Sequence, residues 1–211
     1  MYKMMYRIIQ KEFIRFDENK VVLKGYRRFF MKLVGQQIYL RLYKISDASE
    51  LANLHTRNRE FFQRVCPLLP KVFYTEEHQK IRIERALKKK DKGQVYAFGI
   101  FLKATDELIG DISLTQIARG PVQSCYTGFT LDREHNSRGY TTEALQLVVD
   151  FAFRELKLHR IEAGAMPDNI ASIRVLEKVG FKKEGIAKEN VKINGKWTDH
   201  QILAIINSLD V

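Results

Sequence analysis

Residues 131–143 bring together the groups that hold a phosphate chain. A strand-like run ends at Leu131, a polar turn follows through Asn136, Ser137 and Arg138, and Gly139 stands where an amphipathic helix begins. The first turn of a helix carries backbone N–H groups without intrahelical partners and the positive end of the dipole, so it suits a pyrophosphate. Gly139 lets the backbone approach such a ligand closely, because it has no Cβ. Arg138 adds a charge. Alone, the pattern is shared by many helices that open on a glycine turn. The chain has no Gly-x-x-x-x-Gly-Lys run for a P-loop and no Gly-x-Gly-x-x-Gly after a strand for a dinucleotide.

The elements around this turn can be read from periodicity. Ile38–Leu42 alternates apolar and polar residues as a strand does. Ser46 or Asp47 can cap a helix to about Asn58, and Thr75 a second helix to the Lys88–Lys90 run. Residues 95–102 and 108–117 read as a hairpin around a polar turn, and residues 124–131 as a further strand. From Thr141 to Leu156, apolar residues recur at steps of three and four, the pattern of a long amphipathic helix. Residues 160–166 then read as a buried strand. Residues 170–179 form a short helix ended by Gly180, and two last strands flank the type I′ turn signal Asn194-Gly195. The order implies an α/β sheet, mostly antiparallel, with one strand–helix–strand crossover.

Composition narrows the class. The chain has 211 residues, 45% apolar and 29% charged, which suits a folded domain and argues against wholesale disorder. No apolar run reaches the roughly 18 residues of a membrane span, and Lys3, Arg7 and Lys11 interrupt the N-terminus where a secretory signal would be continuous. Cys66 and Cys125 are expected to be free thiols in a reducing cytoplasm. The five histidines and two cysteines show no metal-ligand spacing, so no metal is expected. The net charge of +11 points to an anionic partner: nucleic acid, a phosphorylated cofactor or a ribonucleoprotein surface. Residues 1–35 hold nine Lys/Arg against Glu12, Asp17 and Glu18, interleaved with aromatics. This basic aromatic appendage could contain strands at residues 12–16 and 20–24, or an amphipathic helix. It reads either as an RNA contact or as a packed extension.

Two segments read jointly are more specific than either alone. Residues 131–143 resemble the pyrophosphate turn of the GNAT superfamily of N-acetyltransferases. Asn169-x-x-Ser172, followed by Leu176-Glu-Lys-x-Gly-Phe181, resembles its second signature. The resemblance covers about Ile38 to Ile206. It leaves 1–35 as an appendage and 36–211 as the acetyltransferase domain. Within the superfamily the chain is most similar to the ribosomal-protein alanine N-acetyltransferases, through Ala118-Arg-Gly120, Cys125-Tyr-x-Gly-Phe129, Leu158-His-Arg-Ile161, Lys183-Glu-Gly185 and Asn194-Gly-x-Trp-x-Asp-His200. It departs from the family at Asn136, where Gln or Arg is usual, and at Thr141, where Gly or Ala is usual.

The resemblance implies a GNAT fold: a mixed, mostly antiparallel sheet splayed at two parallel central strands, with helices on both faces and acetyl-CoA in the splay. It assigns pantetheine hydrogen bonds to the backbone at Phe129 and Leu131, and an oxyanion-donating N–H to Phe129 or Thr130. The pyrophosphate falls to Asn136, Ser137, Arg138, Gly139, Tyr140, Thr141 and Thr142, and further cofactor contact to Asn169 and Ser172. Ser172 is expected to protonate the leaving thiolate. Glu162 and Glu189 are candidate bases, with a structural ion pair as the alternative for Glu162. Glu143 reads as a first-turn carboxylate that favours the dipole, His135 as solvated, Trp197 as an aromatic plug and Tyr126 as core. Asp199 and His200 point to opposite strand faces and cannot form a dyad by adjacency.

The expected reaction is direct attack of an amine on acetyl-CoA in a ternary complex. The expected acceptor is a protein α-amine, such as that of a ribosomal protein, with ribosomal RNA as a further contact. An α-amine has a reference pKa of about 7.7–8.0, against about 10.4 for lysine, so a weak base or a water relay suffices. A small-amine acetyltransferase, a non-catalytic acetyl-CoA-binding module and an RNA-binding protein stand as alternatives. Monomer and homodimer both remain open.

Overall fold

The computed structural model describes residues 31–208. The strands or helix expected within residues 1–30 lie outside the described residues. Among the described residues, five α-helices and eight strands follow in the order β1 (Lys32–Val34), β2 (Ile38–Leu42), α1 (Ala48–Arg57), α2 (Arg59–Gln63), α3 (Glu76–Asp91), β3 (Tyr96–Leu102), β4 (Leu108–Ala118), β5 (Ser124–Leu131), α4 (Tyr140–Arg154), β6 (Arg160–Ala165), α5 (Ile170–Val179), β7 (Lys182–Ile193) and β8 (Lys196–Ile206).

The strands make one sheet in the order β1-β2-β3-β4-β5-β6-β8-β7. Every pairing is antiparallel except β5 with β6. Those two are parallel because α4 carries the chain back across the sheet between them. On one face Phe151 of α4 meets Tyr96 and Phe98 edge-on, at ring centroid distances of 5.2 and 5.8 Å. On the other face Tyr39 and Phe101 stack at 5.2 Å beneath Leu51 and Leu54 of α1 and Ile83 of α3. Helices therefore cover both faces, and each buries the apolar stripe that its sequence shows.

The local signals explain most element ends. Thr75 Oγ1 accepts from the His78 N–H and caps α3. Gly180, at φ +108°, ends α5 in the left-handed conformation. Asn194 and Gly195 take φ +50° and +80°, as a type I′ hairpin needs. Two elements differ from expectation. Among the described residues the sheet begins at Lys32, inside the segment read as the appendage. A second short helix, α2, follows α1 at once. Asn58 makes the break: its side chain donates to the Leu54 carbonyl at 3.0 Å and accepts from the Arg133 N–H at 2.9 Å. A buried amide committed to both the helix end and the loop before α4 turns the chain there.

Candidate active site

β5 and β6 are hydrogen-bonded only where Ser124, Cys125 and Tyr126 face Arg160, Ile161 and Glu162. Beyond that point they part. A cavity of about 780 Å³ opens between them, reaching from the start of α4 to the start of α5. Past Tyr126, the edge of β5 that faces β6 has no ladder partner among the described residues. Its N–H and C=O groups are free to pair with an extended ligand, as an added strand would.

The loop from β5 to α4 is clamped from below. Asp132 accepts a 2.6 Å bond from Arg57 Nε and another from the Glu134 N–H. Burial alone would raise the Asp132 pKa, but these bonds outweigh it and hold the carboxyl below its usual range. Beyond the clamp, Ser137 (φ +62°) and Gly139 (φ +85°) both adopt the left-handed conformation. The N–H groups of residues 137–142 have no hydrogen-bond partner among the described residues. Unpartnered amides at the positive end of a fifteen-residue helix are the kind of group that can hold an anion. A Cβ built on Gly139 meets nothing within 4 Å, so the space above it is open to a ligand.

Of the residues assigned to the donor, Phe129, Thr130, Leu131, Asn136, Ser137, Gly139, Tyr140, Thr141, Thr142, Asn169 and Ser172 all line this one cavity. Arg138 is exposed and does not contribute a wall. Asn169 is also the cap of α5: its Oδ1 accepts from the Ser172 N–H at 3.3 Å, which fixes Ser172 in the first turn at the cavity wall.

The two carboxylates read as candidate bases lie elsewhere. Glu162 is bound by Arg160 Nε at 3.0 Å and by the Tyr126 phenol, whose pKa that bond raises. Arg160 also holds Glu184 through its Nη1 and Nη2, so Glu162 sits in an ion-pair network. Glu189 is exposed on an irregular stretch of β7, where its N–H donates to Asp199. Neither residue lines the cavity. Glu143 does more than favour a dipole: its Oε1 accepts from the Gln37 and Ile38 N–H groups at 3.0 and 3.5 Å, tying α4 to the β1–β2 turn.

Three single-residue expectations need correcting. Tyr126 is 38% exposed rather than core, and Trp197 is 60% exposed rather than a plug. His135 is largely covered rather than solvated, with its Nδ1 buried and its ring 6.2 Å from that of Tyr140. Sequence reasoning also passed over two parts of the wall. One is α2 and the turn that follows it, which bring Phe61 and Phe62, then Arg64 and Cys66, to the cavity; α2 is anchored to the β7–β8 turn by reciprocal Gln63–Asn194 hydrogen bonds of 2.8 and 3.0 Å. The other is His200, which is buried at the cavity wall. The Asp199–His200 alternation held the signal for it, since one of two neighbours on a strand must face inward. Among the described residues no cluster of His, Cys, Asp or Glu could hold a metal, and no helix is long and apolar enough to cross a membrane.

Comparison with known proteins agrees with this geometry. Residues 37–182 match the acetyltransferase (GNAT) domain model. A probable N-acetyltransferase of Bacillus subtilis, YjcK, is 52% identical over 84% of this chain and 98% of its own length. The [ribosomal protein uS5]-alanine N-acetyltransferase of Escherichia coli is 30% identical over 86% of this chain and 94% of its own. Among solved structures, the ribosomal-protein-S5-alanine acetyltransferase of Vibrio fischeri superposes with a TM-score of 0.81 at 32% identity, over 84% of this chain and 97% of that one. Mycobacterium smegmatis RimJ, in complex with CoA-disulfide, gives 0.77 at 26% identity, over 84% and 85%.

Proposed function

The chain belongs to the GNAT acetyltransferase family, and on that premise we propose that it acetylates the α-amino group of a protein N-terminus, the acceptor being a ribosomal protein that begins with alanine. Acetyl-CoA is the acetyl donor. The observation that carries the acceptor reading is the bare floor beside the splay. Tyr126 pairs with Glu162, so Gly128 and Gly164, two residues further on, lie at one level across the gap. Both are exposed, and a Cβ on Gly128 would meet nothing within 4 Å. A chain end carrying a small side chain can lie on that floor with its nitrogen close to where the thioester emerges. The relatives that act on ribosomal-protein alanine support the same acceptor.

In this reading the amides of residues 137–142 take the pyrophosphate and the free edge of β5 takes the pantetheine arm. An N–H at Phe129 or Thr130 receives the charge that develops on the thioester oxygen. The amine nitrogen attacks the carbonyl carbon, the C–S bond breaks, and Ser172 supplies a proton to the departing sulfur. The reading also sets the basic residues 1–35 against ribosomal RNA and the enzyme in the cytoplasm. RNA affinity that falls steeply with salt is the signature of that contact.

The test incubates the protein with acetyl-CoA and a panel: alanine-initiated peptides, an Nα-blocked lysine peptide and spermidine. Thiol release and mass spectrometry then report the rate and the site. Faster acetylation of the alanine α-amine supports the proposal. Turnover confined to lysine or spermidine overturns it.

A further inference from the structure

We propose that His200 accepts the proton lost by the acceptor amine, with Nε2 as the accepting atom. The inference rests on the amine-acetylation reading above and adds a residue to it.

The geometry fixes the tautomer of the neutral ring. His200 Nδ1 lies 3.2 Å from the Thr198 carbonyl oxygen. A carbonyl can only accept, so Nδ1 carries the hydrogen, and the neutral ring presents Nε2 as a bare lone pair. Nε2 has no hydrogen-bond partner among the described residues. The side chain is buried, at 7% exposure, yet it lines the cavity. Its Cδ2, the atom bonded to Nε2, stands 3.7 Å from where a Cβ on Gly164 would be. The basic edge of the ring therefore borders the floor on which the amine and thioester meet.

The neighbours leave this role to His200. Across β7 it faces Ala187, and on the β6 side its ring lies beside Gly164, so neither of these neighbours carries a charge. Along the same elements, Asp199 turns to the other strand face and pairs with Lys188, Glu189 is exposed, and Glu162 is paired with Arg160. Arg64, just after α2, and Arg174 and Lys178 of α5 are the charged side chains on the cavity wall. Being cations, none of the three is a base.

The proton balance closes. Nε2 takes one proton from the bound ammonium and releases it to solvent through the cavity. The neutral amine then forms the C–N bond, the C–S bond breaks, and the second nitrogen proton reaches the leaving sulfur through Ser172 or water, giving the amide and free CoA. His200 ends unchanged.

The experiment compares wild type with His200→Gln and His200→Asn, each a polar side chain without a basic nitrogen. Acetylation is followed from pH 7 to 9 with whichever panel amine the wild type uses best. The expected result is a kcat lowered about 10- to 100-fold at pH 7, an unchanged KM for acetyl-CoA and a deficit that shrinks as pH rises and the amine loses its proton unaided. A merely structural role would give a deficit that is the same at every pH or appears as a raised KM, and either result overturns the proposal, as does an unchanged kcat. Melting temperatures show whether both variants are folded, and one folded variant suffices. A wild type that spares every α-amine but acetylates spermidine or lysine refutes the acceptor reading and leaves the His200 comparison intact on that amine.

Discussion

Replacing Gly139 with alanine separates the cost of backbone strain from the cost of lost phosphate contact. At φ +85° an L-residue is disfavoured by about 1–2 kcal/mol. The new methyl group meets no protein atom within 4 Å, so strain is its only effect on the free protein. For a domain of this size that amounts to roughly 2–8 °C in Tm. Gly120, in the β4–β5 turn, provides the matched control: its φ is +73°, a Cβ there also meets nothing, and it lies outside the cavity wall. Gly120→Ala should show a similar thermal loss and bind CoA like wild type. Gly139→Ala should, in addition, push the phosphates off one or two amides. A hydrogen bond to a charged group is worth about 1.5–3 kcal/mol, so CoA affinity should fall at least 10- to 100-fold. Isothermal titration calorimetry of the three proteins with CoA measures this. Equal affinity in the two variants would refute the placing of the pyrophosphate on this turn.

Three further outcomes follow from the same structure. Ser172→Ala should lower kcat about 10- to 100-fold, since water can replace a hydroxyl acid, and should change acetyl-CoA affinity little; steady-state kinetics decide it, and an equal kcat leaves Ser172 a packing residue. Asp132 and Asp47 are held below the usual carboxylate range; burial alone would raise both, but their bonds from Arg57 and Arg41 prevail. A lowered folded pKa gives stability that is complete above the unfolded value of about 3.9 and is lost as pH falls through the folded one. Urea midpoints should therefore hold from pH 7 to 5 and drop below about pH 4, with a shallower drop in Asp132→Asn; an unchanged slope in that variant would contradict the assignment. Removing residues 1–30 should leave peptide acetylation largely intact, because β1 begins at Lys32; loss of folding or of all activity in the shortened protein would show that the appendage completes the core.

What could be read from the sequence was local and repeated. Gly180, Asn194-Gly195 and Thr75 have backbone roles that few residues can fill, and the three- and four-residue steps of Thr141–Leu156 leave little room for anything but a helix. The splay was legible only through the resemblance, because nothing local in Ser124–Leu131 says where a strand parts from its neighbour. The misses share a cause: they depend on what the opposite element brings. Tyr126 and Trp197 look like core residues until the uncovered part of the sheet is seen. His135 looks solvated until the Tyr140 ring and Glu107 close around it. α2 is too short for periodicity to show, yet it supplies part of the cavity wall. Glu162 and Glu189 stand out in the sequence as carboxylates, whereas the base proposed for the cavity is His200. Its orientation depends on a carbonyl two residues earlier, which no spacing rule reveals.

The most direct test is a crystal structure of the protein with CoA and an alanine-initiated peptide. The pyrophosphate should lie about 2.7–3.2 Å from amides of residues 137–142, the pantetheine arm should run along the free edge of β5, and the sulfur should face Ser172, with the peptide nitrogen over Gly128 and Gly164. CoA seated elsewhere than between β5 and β6, or a peptide end held away from the two glycines, would contradict the account.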